Sequence, residues 1–371
     1  MAFSLTANSV GAIPQRNELE LAVFGPGLGE CIVMHCGDGD WIVIDSCKHS
    51  GAAQPVAIEY LEALGLDPSS AVRAILATHW HDDHVRGLAT LVRRCPSATF
   101  AISAALEPDQ FYGLVFEVEQ RNKLVSETST AREFADILDH FLDLNQHPSP
   151  DVLAQTGSIL FRGGIGKAVT IQALSPSAAT VTDCGADLVS KLCTAHPTRK
   201  FRRTGPNDLS VAVQVSAGPI DLLLKADLED SSSELYGWKA VLNDSVRPPQ
   251  SSAIVKVGHH GSPNADNSEV WVQMVEADPV CIVTPYTRGH RPLPHDEDIT
   301  RLKTHTSNLF ITSSETTRRT KHAGGIKRQI KAATKVRRGI PREPGFVRLR
   351  LDLTSSSPQP NVELFGSAKE L

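Results

Sequence analysis

From Thr78 to His84 the chain reads THWHDDH, with three histidines and two aspartates at the end of an apolar run. A solvated loop has no need of three imidazoles in one place; a metal site does. His79 and His81 are two residues apart, and in extended backbone side chains at i and i+2 share a face, so both rings can reach one cation. Asp83 and His84 lie just beyond, where the chain turns into a helix, and can face a second cation. Imidazole nitrogen with carboxylate oxygen suits Zn, Mn or Fe, and the cluster contains no cysteine. Two such ions about 3.5–4 Å apart can share a hydroxide and clamp both oxygens of a displacement at phosphorus or carbon.

The elements that must position these residues are short apolar strands, each ending in a polar residue. WIVID ends at Asp45, AILATH at His79, IDLLLKAD at Asp227 and SAIVKVGHH at His260. Leu19–Phe24, ECIVMHC, Val169–Leu174, PVCIVTP and FVRLRLDL read as further strands. Helical periodicity follows at Val56–Leu64, Val85–Arg94 and Ser268–Glu276. Strands alternating with helices predict α/β layers, and ligands in such sheets collect where strands end and loops begin. Four strand ends here carry a potential metal ligand. Residues 107–151 read as a helical insertion, with REFADILDHFLDL as its clearest helix, and SSSPQPN near the end reads as a mobile tail. No linker divides the 371 residues, which are expected to form one domain with a basic C-terminal extension from about 316.

Composition narrows the function classes. A net charge of −5 gives no global argument for nucleic-acid binding. No apolar run approaches the roughly 18 residues that span a bilayer, so no membrane association is expected. The N-terminus lacks a basic start followed by an apolar block. The seven cysteines are scattered without a CxxC pair and mostly sit in apolar segments, as reduced buried thiols do. These points favour a cytoplasmic protein.

The run His79-Trp80-His81-Asp82-Asp83-His84 resembles the H-x-H-x-D-H signature of the metallo-β-lactamase superfamily. Asp45 in VIDSC, Asp227 in LLLKADLE and the pair His259-His260 in VGHHGS resemble that superfamily's other motifs, in order. Within it the chain is most similar to the soluble hydrolase domain of ComEC-type competence proteins. That likeness rests on GPGLGE (Gly25–Glu30), Asn207-Asp208-Leu209-Ser210, Val257–Ser262 and RGHRPLPHDED, and spans roughly residues 19–315. ComEC-type proteins usually join this domain to membrane-spanning segments that this chain lacks, so a DNA-uptake role does not carry over.

The resemblance implies a four-layer αββα sandwich carrying two divalent metal ions, Zn or Mn. His79 and His81 would bind the first ion, Asp83, His84 and His260 the second, and Asp227 would bridge them. Asp45 would support the histidine loop. The resemblance and the chemistry together give a hydroxide bound by the dinuclear centre as the attacking group, with Asp83 and His259 as catalytic residues. His259, beside a ligand, would donate to a developing oxyanion or to the leaving group. The third ligand of the first ion is open between His196, Asn207 and Asp208. Ala226 stands where the pattern has glycine, which an ordinary β backbone would tolerate. His290 and His295, in the loop after a strand, are candidates for the pocket wall.

Two basic stretches bear on the substrate. Residues 318–342 hold ten Lys or Arg and no acid, and residues 199–203 hold Arg199, Lys200, Arg202 and Arg203. The ordinary reading is a solvated face. The functional one is a track for a nucleic-acid or nucleotide polyanion. The leading expectation is therefore a phosphodiesterase or nuclease. The alternatives are a hydrolase of another ester (a lactone, thioester or phosphocholine ester) and a nucleic-acid-binding assembly component with little catalysis.

Overall fold

Alternate side chains along the central strands enter two different cores. Leu21, Val23, Ile32, Met34, Ile42, Ile44 and Leu76 meet Val213, Val215, Leu222, Leu224, Ile254 and Ile282 in one apolar cluster. Their neighbours Phe24, Val33, Val43 and Ile75 pack instead against Val56, Ile58, Leu61, Leu88, Leu91, Phe134 and Ile137. On the other side, Leu223, Val255, Cys281 and Leu309 pack against Trp238, Val241, Val270, Trp271 and Met274. This two-residue alternation is what a strand covered on both faces requires. It produces four layers: helices, sheet, sheet, helices.

The computed structural model describes residues 5–27, 29–106, 129–143, 150–184, 205–287, 292–314 and 344–371. The strands of its first half are β1 (Glu18–Phe24), β2 (Cys31–His35), β3 (Trp41–Ile44), β4 (Val72–Ala77), β5 (Thr99–Ser103), β6 (Val152–Ala154), β7 (Ile159–Gly163) and β8 (Val169–Ala173). Those of its second half are β9 (Val213–Ala217), β10 (Ile220–Leu224), β11 (Ser252–Lys256), β12 (Val275–Val283), β13 (Asn308–Ile311), β14 (Phe346–Asp352), β15 (Asn361–Phe365) and β16 (Lys369–Glu370). One sheet runs β15-β14-β1-β2-β3-β4-β5-β6 and the other β16-β13-β12-β11-β10-β9-β8-β7. The stretches β3 to β6 and β10 to β13 are parallel, so the C-terminal ends of β3, β4, β10 and β11 collect ligand-bearing loops.

The helices Val56–Ala63, Leu88–Arg94 and Ser129–Asp143 cover the first sheet, and Gly237–Asn243, Ser268–Met274 and Asp296–Leu302 the second. The expected helix Val85–Arg94 is broken. Gly87 adopts φ 89° between a short turn at Asp82–Val85 and the helix proper. Ser129–Asp143 is the described part of the insertion. It packs Phe134 and Ile137 into the core, and the Glu133 carboxylate accepts from the Gly87 and Ala89 N–H groups.

In the C-terminal region FVRLRLDL forms a strand as expected, whereas SSSPQPN is not a tail. Residues 346–370 are not an appendage, because β14 pairs with β1 in register from Phe24↔Phe346 to Glu18↔Asp352. The stretch SSSPQPN connects β14 to its antiparallel partner β15. The basic segments 199–203 and 318–342 lie outside the described residues, as do His196 and His290. Among the described residues no helix is long and apolar enough to cross a membrane. The six described cysteines are free thiols, five of them buried.

Candidate metal centre

β3 delivers Asp45 and β4 delivers Thr78 and His79, side by side in a parallel pair. Asp45 is 2% exposed and takes φ 59°, a conformation that costs an L-residue roughly 1–2 kcal/mol. The carboxylate so placed gathers three donors. Its Oδ1 accepts from Thr78 N–H at 2.8 Å, and its Oδ2 accepts from Thr78 Oγ1 at 2.8 Å and lies 2.7 Å from His84 Nδ1. Asp45 therefore fixes both ends of the histidine loop, and its ligand oxygen also lies within 4.8 Å of those of Glu30 and His84.

Around the loop the donors converge. His79 Nε2 is 3.1 Å from His81 Nδ1 and 3.8 Å from Asp227 Oδ2. His84 Nε2 is 3.5 Å from Asp227 Oδ2 and 3.9 Å from Asp83 Oδ2. His260 Nε2 is 3.2 Å from Asp83 Oδ2 and 3.8 Å from Asp227 Oδ2. Ligand atoms of His79, His84 and Asp227 fall within 4.8 Å of one another, as do those of Asp83, His84 and His260. The two groups share His84, and Asp227 Oδ2 lies within 3.8 Å of His79, His84 and His260. His81 joins the first through Nδ1 and remains half-buried, whereas His79, His84, Asp227 and His260 are buried.

Electrostatics follow from this crowding. Burial lowers the His79 pKa well below the ordinary histidine value, and the neighbouring His84 pushes it further down. Burial acts the same way on His84, but Asp227 and Asp45 on either side outweigh it and hold that ring's pKa well above normal. Burial raises Asp227, yet the imidazoles of His84 and His260 overrule it and keep the carboxyl well below its usual range. Asp83 is likewise depressed: burial opposes ionisation, but the His260 hydrogen bond and the charges of His84 and His260 prevail.

These residues fit a divalent cation. His84 Nε2 and Asp227 Oδ1 are buried and have no hydrogen-bond partner among the described residues. Desolvated polar atoms left without a partner are costly. Imidazole nitrogen and carboxylate oxygen are the donor set that a zinc- or manganese-type ion takes up.

Backbone strain concentrates at the same place. Six non-glycine residues have positive φ among the described residues, and four of them are Asp45, Ala226, His259 and His260. Ala226, at φ 44°, is not in ordinary β conformation, so the glycine of the family pattern has a physical reason that this chain overrides. Across the neighbouring ends of β10 and β11, His259 N–H donates to Ala226 O at 2.9 Å.

His259 sits in a hydrogen-bonded group of its own. Its Nδ1 lies 3.0 Å from Asn264 Oδ1 and 3.4 Å from Glu229 Oε1, and its Nε2 lies 3.3 Å from Asn207 Nδ2. Asn207 Nδ2 also donates to Glu229 Oε1 at 2.7 Å. Asp208 is engaged elsewhere, its Oδ2 accepting from Gly205 N–H at 2.9 Å. His295 lines a separate cleft of about 390 Å³ with Pro26, Thr287, Pro294 and Lys369.

Sequence reasoning missed the support behind His260. Its Nδ1 lies 3.2 Å from Thr284 O and 3.3 Å from Thr284 Oγ1, and Tyr286 stacks on the ring at 5.2 Å. Thr284 Oγ1 donates to Glu30 Oε2 at 2.6 Å, and buried Lys256 pairs with the same oxygen. Glu30 N–H in turn donates to Asp83 O at 2.8 Å. Gly29 allows this approach: at φ 114°, a Cβ there would meet Cys47 Cβ at 2.7 Å and Asp83 O at 2.9 Å. A lysine within the apolar run SAIVKV was the available signal for a buried ion pair.

Comparison with known proteins bears on this architecture. Residues 24–151 match the family model of the Metallo-beta-lactamase superfamily, a segment that holds Asp45 and the whole histidine loop. No curated protein matches the sequence. Similar solved structures include the metallo-beta-lactamase fold protein YhfI from Bacillus subtilis, 13% identical with a TM-score of 0.38 over 80% of this chain and 96% of that one. Another is MEM-A1, a subclass B3 metallo-beta-lactamase from a soil metagenome library, 14% identical with a TM-score of 0.31 over 62% and 69% of the two chains. The hydrolase AbOPH in the beta lactamase superfamily is 13% identical with a TM-score of 0.34 over 58% and 72%. With its paired eight-stranded sheets, its covering helices and the matched ligand-loop segment, the chain carries the fold of the metallo-β-lactamase superfamily.

Proposed function

We propose that this protein is a metal-dependent hydrolase of phosphodiesters, acting as a nuclease or nucleotide phosphodiesterase. The observation that carries the reading is Asp227, a buried carboxylate lying within 3.8 Å of His79, His84 and His260 with Oδ1 unpartnered among the described residues. His79, His81 and Asp227 would hold one divalent cation, and Asp83, His84, His260 and Asp227 a second. Cations bound there would supply Lewis acidity toward a phosphoryl or acyl oxygen and would acidify water. The chain's own residues pre-organise the site. Asp45 orients His84, and the Glu30–Thr284 pair orients His260, so the donors are set before substrate arrives.

A phosphodiester is favoured over other esters by the acid-free basic run 318–342 and by the likeness of GPGLGE, NDLS and VGHHGS to ComEC-type hydrolase domains. A polyanion would be drawn by such a run in a salt-dependent manner. The test is hydrolysis of DNA, RNA, a cyclic nucleotide and bis(p-nitrophenyl) phosphate by the purified protein with Zn or Mn. Activity is expected on at least one, and His81→Ala should abolish it. Turnover of a lactone or thioester with none on any phosphodiester would move the assignment to the second ester class. Equal activity in His81→Ala would mean that the site does not do the chemistry.

A further inference from the structure

We propose that Asn207 Oδ1 is the remaining protein ligand at the His79–His81 pole of the centre. The inference rests on the metal reading above and deepens it. Asn207 belongs to the short turn Pro206–Leu209, and the chain leaving that turn is fastened beside the histidine loop. Val211 N–H donates to Thr78 O at 3.0 Å, and Leu209 O accepts from Ser103 Oγ at 2.7 Å. The turn therefore sits at the C-terminal ends of β4 and β5, and His79 and His81 follow directly on the end of β4.

The amide of Asn207 has only one orientation consistent with its neighbours. Glu229 offers a carboxylate oxygen at 2.7 Å, which can only accept. His259 offers Nε2 at 3.3 Å, while its Nδ1 faces the acceptors Asn264 Oδ1 and Glu229 Oε1. With Nδ1 carrying the proton, Nε2 is an acceptor too. Both protons of Asn207 Nδ2 are thus committed, and the carbonyl oxygen must point the other way. That oxygen is buried with no hydrogen-bond partner among the described residues. A carbonyl held this way lacks a donor or a cation, and carbonyl oxygen is a ligand type that suits an Mn-type ion. The neighbouring carboxylate does not compete, because Asp208 Oδ2 closes the turn onto Gly205 N–H. Glu229, His259 and Asn264 are then positioning residues that aim a neutral ligand.

The experiment is titration of the metal-free full chain with Zn²⁺ and Mn²⁺ by calorimetry, with Co²⁺ absorption as a second readout of coordination. Wild type, Asn207→Ala and the double variant Asn207→Asp/Glu229→Gln are compared, and melting of each metal-free form checks folding. Wild type should bind two ions. Asn207→Ala should weaken one of them by about tenfold or more and change the Co²⁺ spectrum, as loss of a ligand or its support does. Asn207→Asp/Glu229→Gln, in which one aspartate oxygen takes the place of the amide oxygen and the amide introduced at position 229 donates to the other, should keep both ions. Wild-type affinity for both ions in Asn207→Ala would overturn the assignment while leaving the metal centre standing. If Asn207→Ala does not fold, the double variant decides: tight binding of both ions by its folded form supports the assignment, and loss of one overturns it. Failure of wild type to bind any ion would overturn the metal reading itself, and this ligand with it.

Discussion

Asp45 and Asp227 flank opposite nitrogens of one imidazole: Asp45 Oδ2 lies 2.7 Å from His84 Nδ1, and Asp227 Oδ2 lies 3.5 Å from His84 Nε2. The first contact fixes which nitrogen is free for the second. Asp45→Asn keeps the volume but brings an amide that need not accept from His84. Metal affinity should fall about 10–100-fold, the usual effect of losing such an outer partner. Calorimetric titration measures it, and an unchanged affinity would show that the ring is held by something else.

Ala226 at φ 44° bears a strain that glycine would not. Ala226→Gly trades relief of the left-handed conformation, about 1–2 kcal/mol, against the extra freedom of glycine in the unfolded chain, about 0.4–1 kcal/mol. The net expectation is stabilisation of about 0.5 kcal/mol, whereas Ala226→Val should destabilise by more than about 2 kcal/mol. Urea unfolding of the metal-free protein distinguishes them. A valine variant as stable as wild type would contradict the backbone geometry.

Much of the site was legible because Asp45, His79, Asp227 and His260 each terminate an apolar run, and parallel strands bring such ends together. The four-layer fold was legible for the same reason, since strands and helices alternate. What escaped depends on partners far apart in the chain. Glu30 looked like part of a turn and Lys256 was read only as one residue of an apolar strand, yet they pair across 226 positions. The positive φ of Ala226 accompanies a hydrogen bond from His259 N–H across two neighbouring strand ends, a contact that no local pattern encodes. The place of β14 beside β1 likewise depends on pairing across more than 300 residues.

The Glu30–Lys256 pair gives a third expectation. Both side chains are buried, and Glu30 also anchors Thr284 behind His260. Lys256→Met leaves a buried carboxylate without its counter-charge and should cost about 3–5 kcal/mol. Adding Glu30→Gln should recover much of that loss, because the uncompensated charge is gone. Denaturant unfolding of the two singles and the double reads the coupling. Additive losses would mean that the pair does not interact as drawn.

His49 sets part of the acid limb of stability. Burial lowers its pKa from 6.5 to about 4. Between those values the unfolded chain binds the proton more readily than the folded one, so stability falls as pH drops from about 6.5 to about 4 and is level in this respect above. The full span corresponds to about 3 kcal/mol at most. His49→Met should flatten that part of the pH profile without altering the neutral plateau by a similar amount. Thermal melts across pH 4–7 measure it, and an identical acid slope in the variant would remove His49 from the account.

The return of β14 to β1 has a consequence for how the molecule is made. The register Glu18↔Asp352 leaves the first strand's outer edge bare until the late segment has emerged and come back to it, and β16 must also reach β13 in the opposite sheet. Closure over such a span is entropically slow, and an open strand edge invites pairing with another chain. A ribosome-bound intermediate would therefore already hold every proposed ligand, and yet it would present an unpaired β1 edge until its last strands zip the sandwich shut.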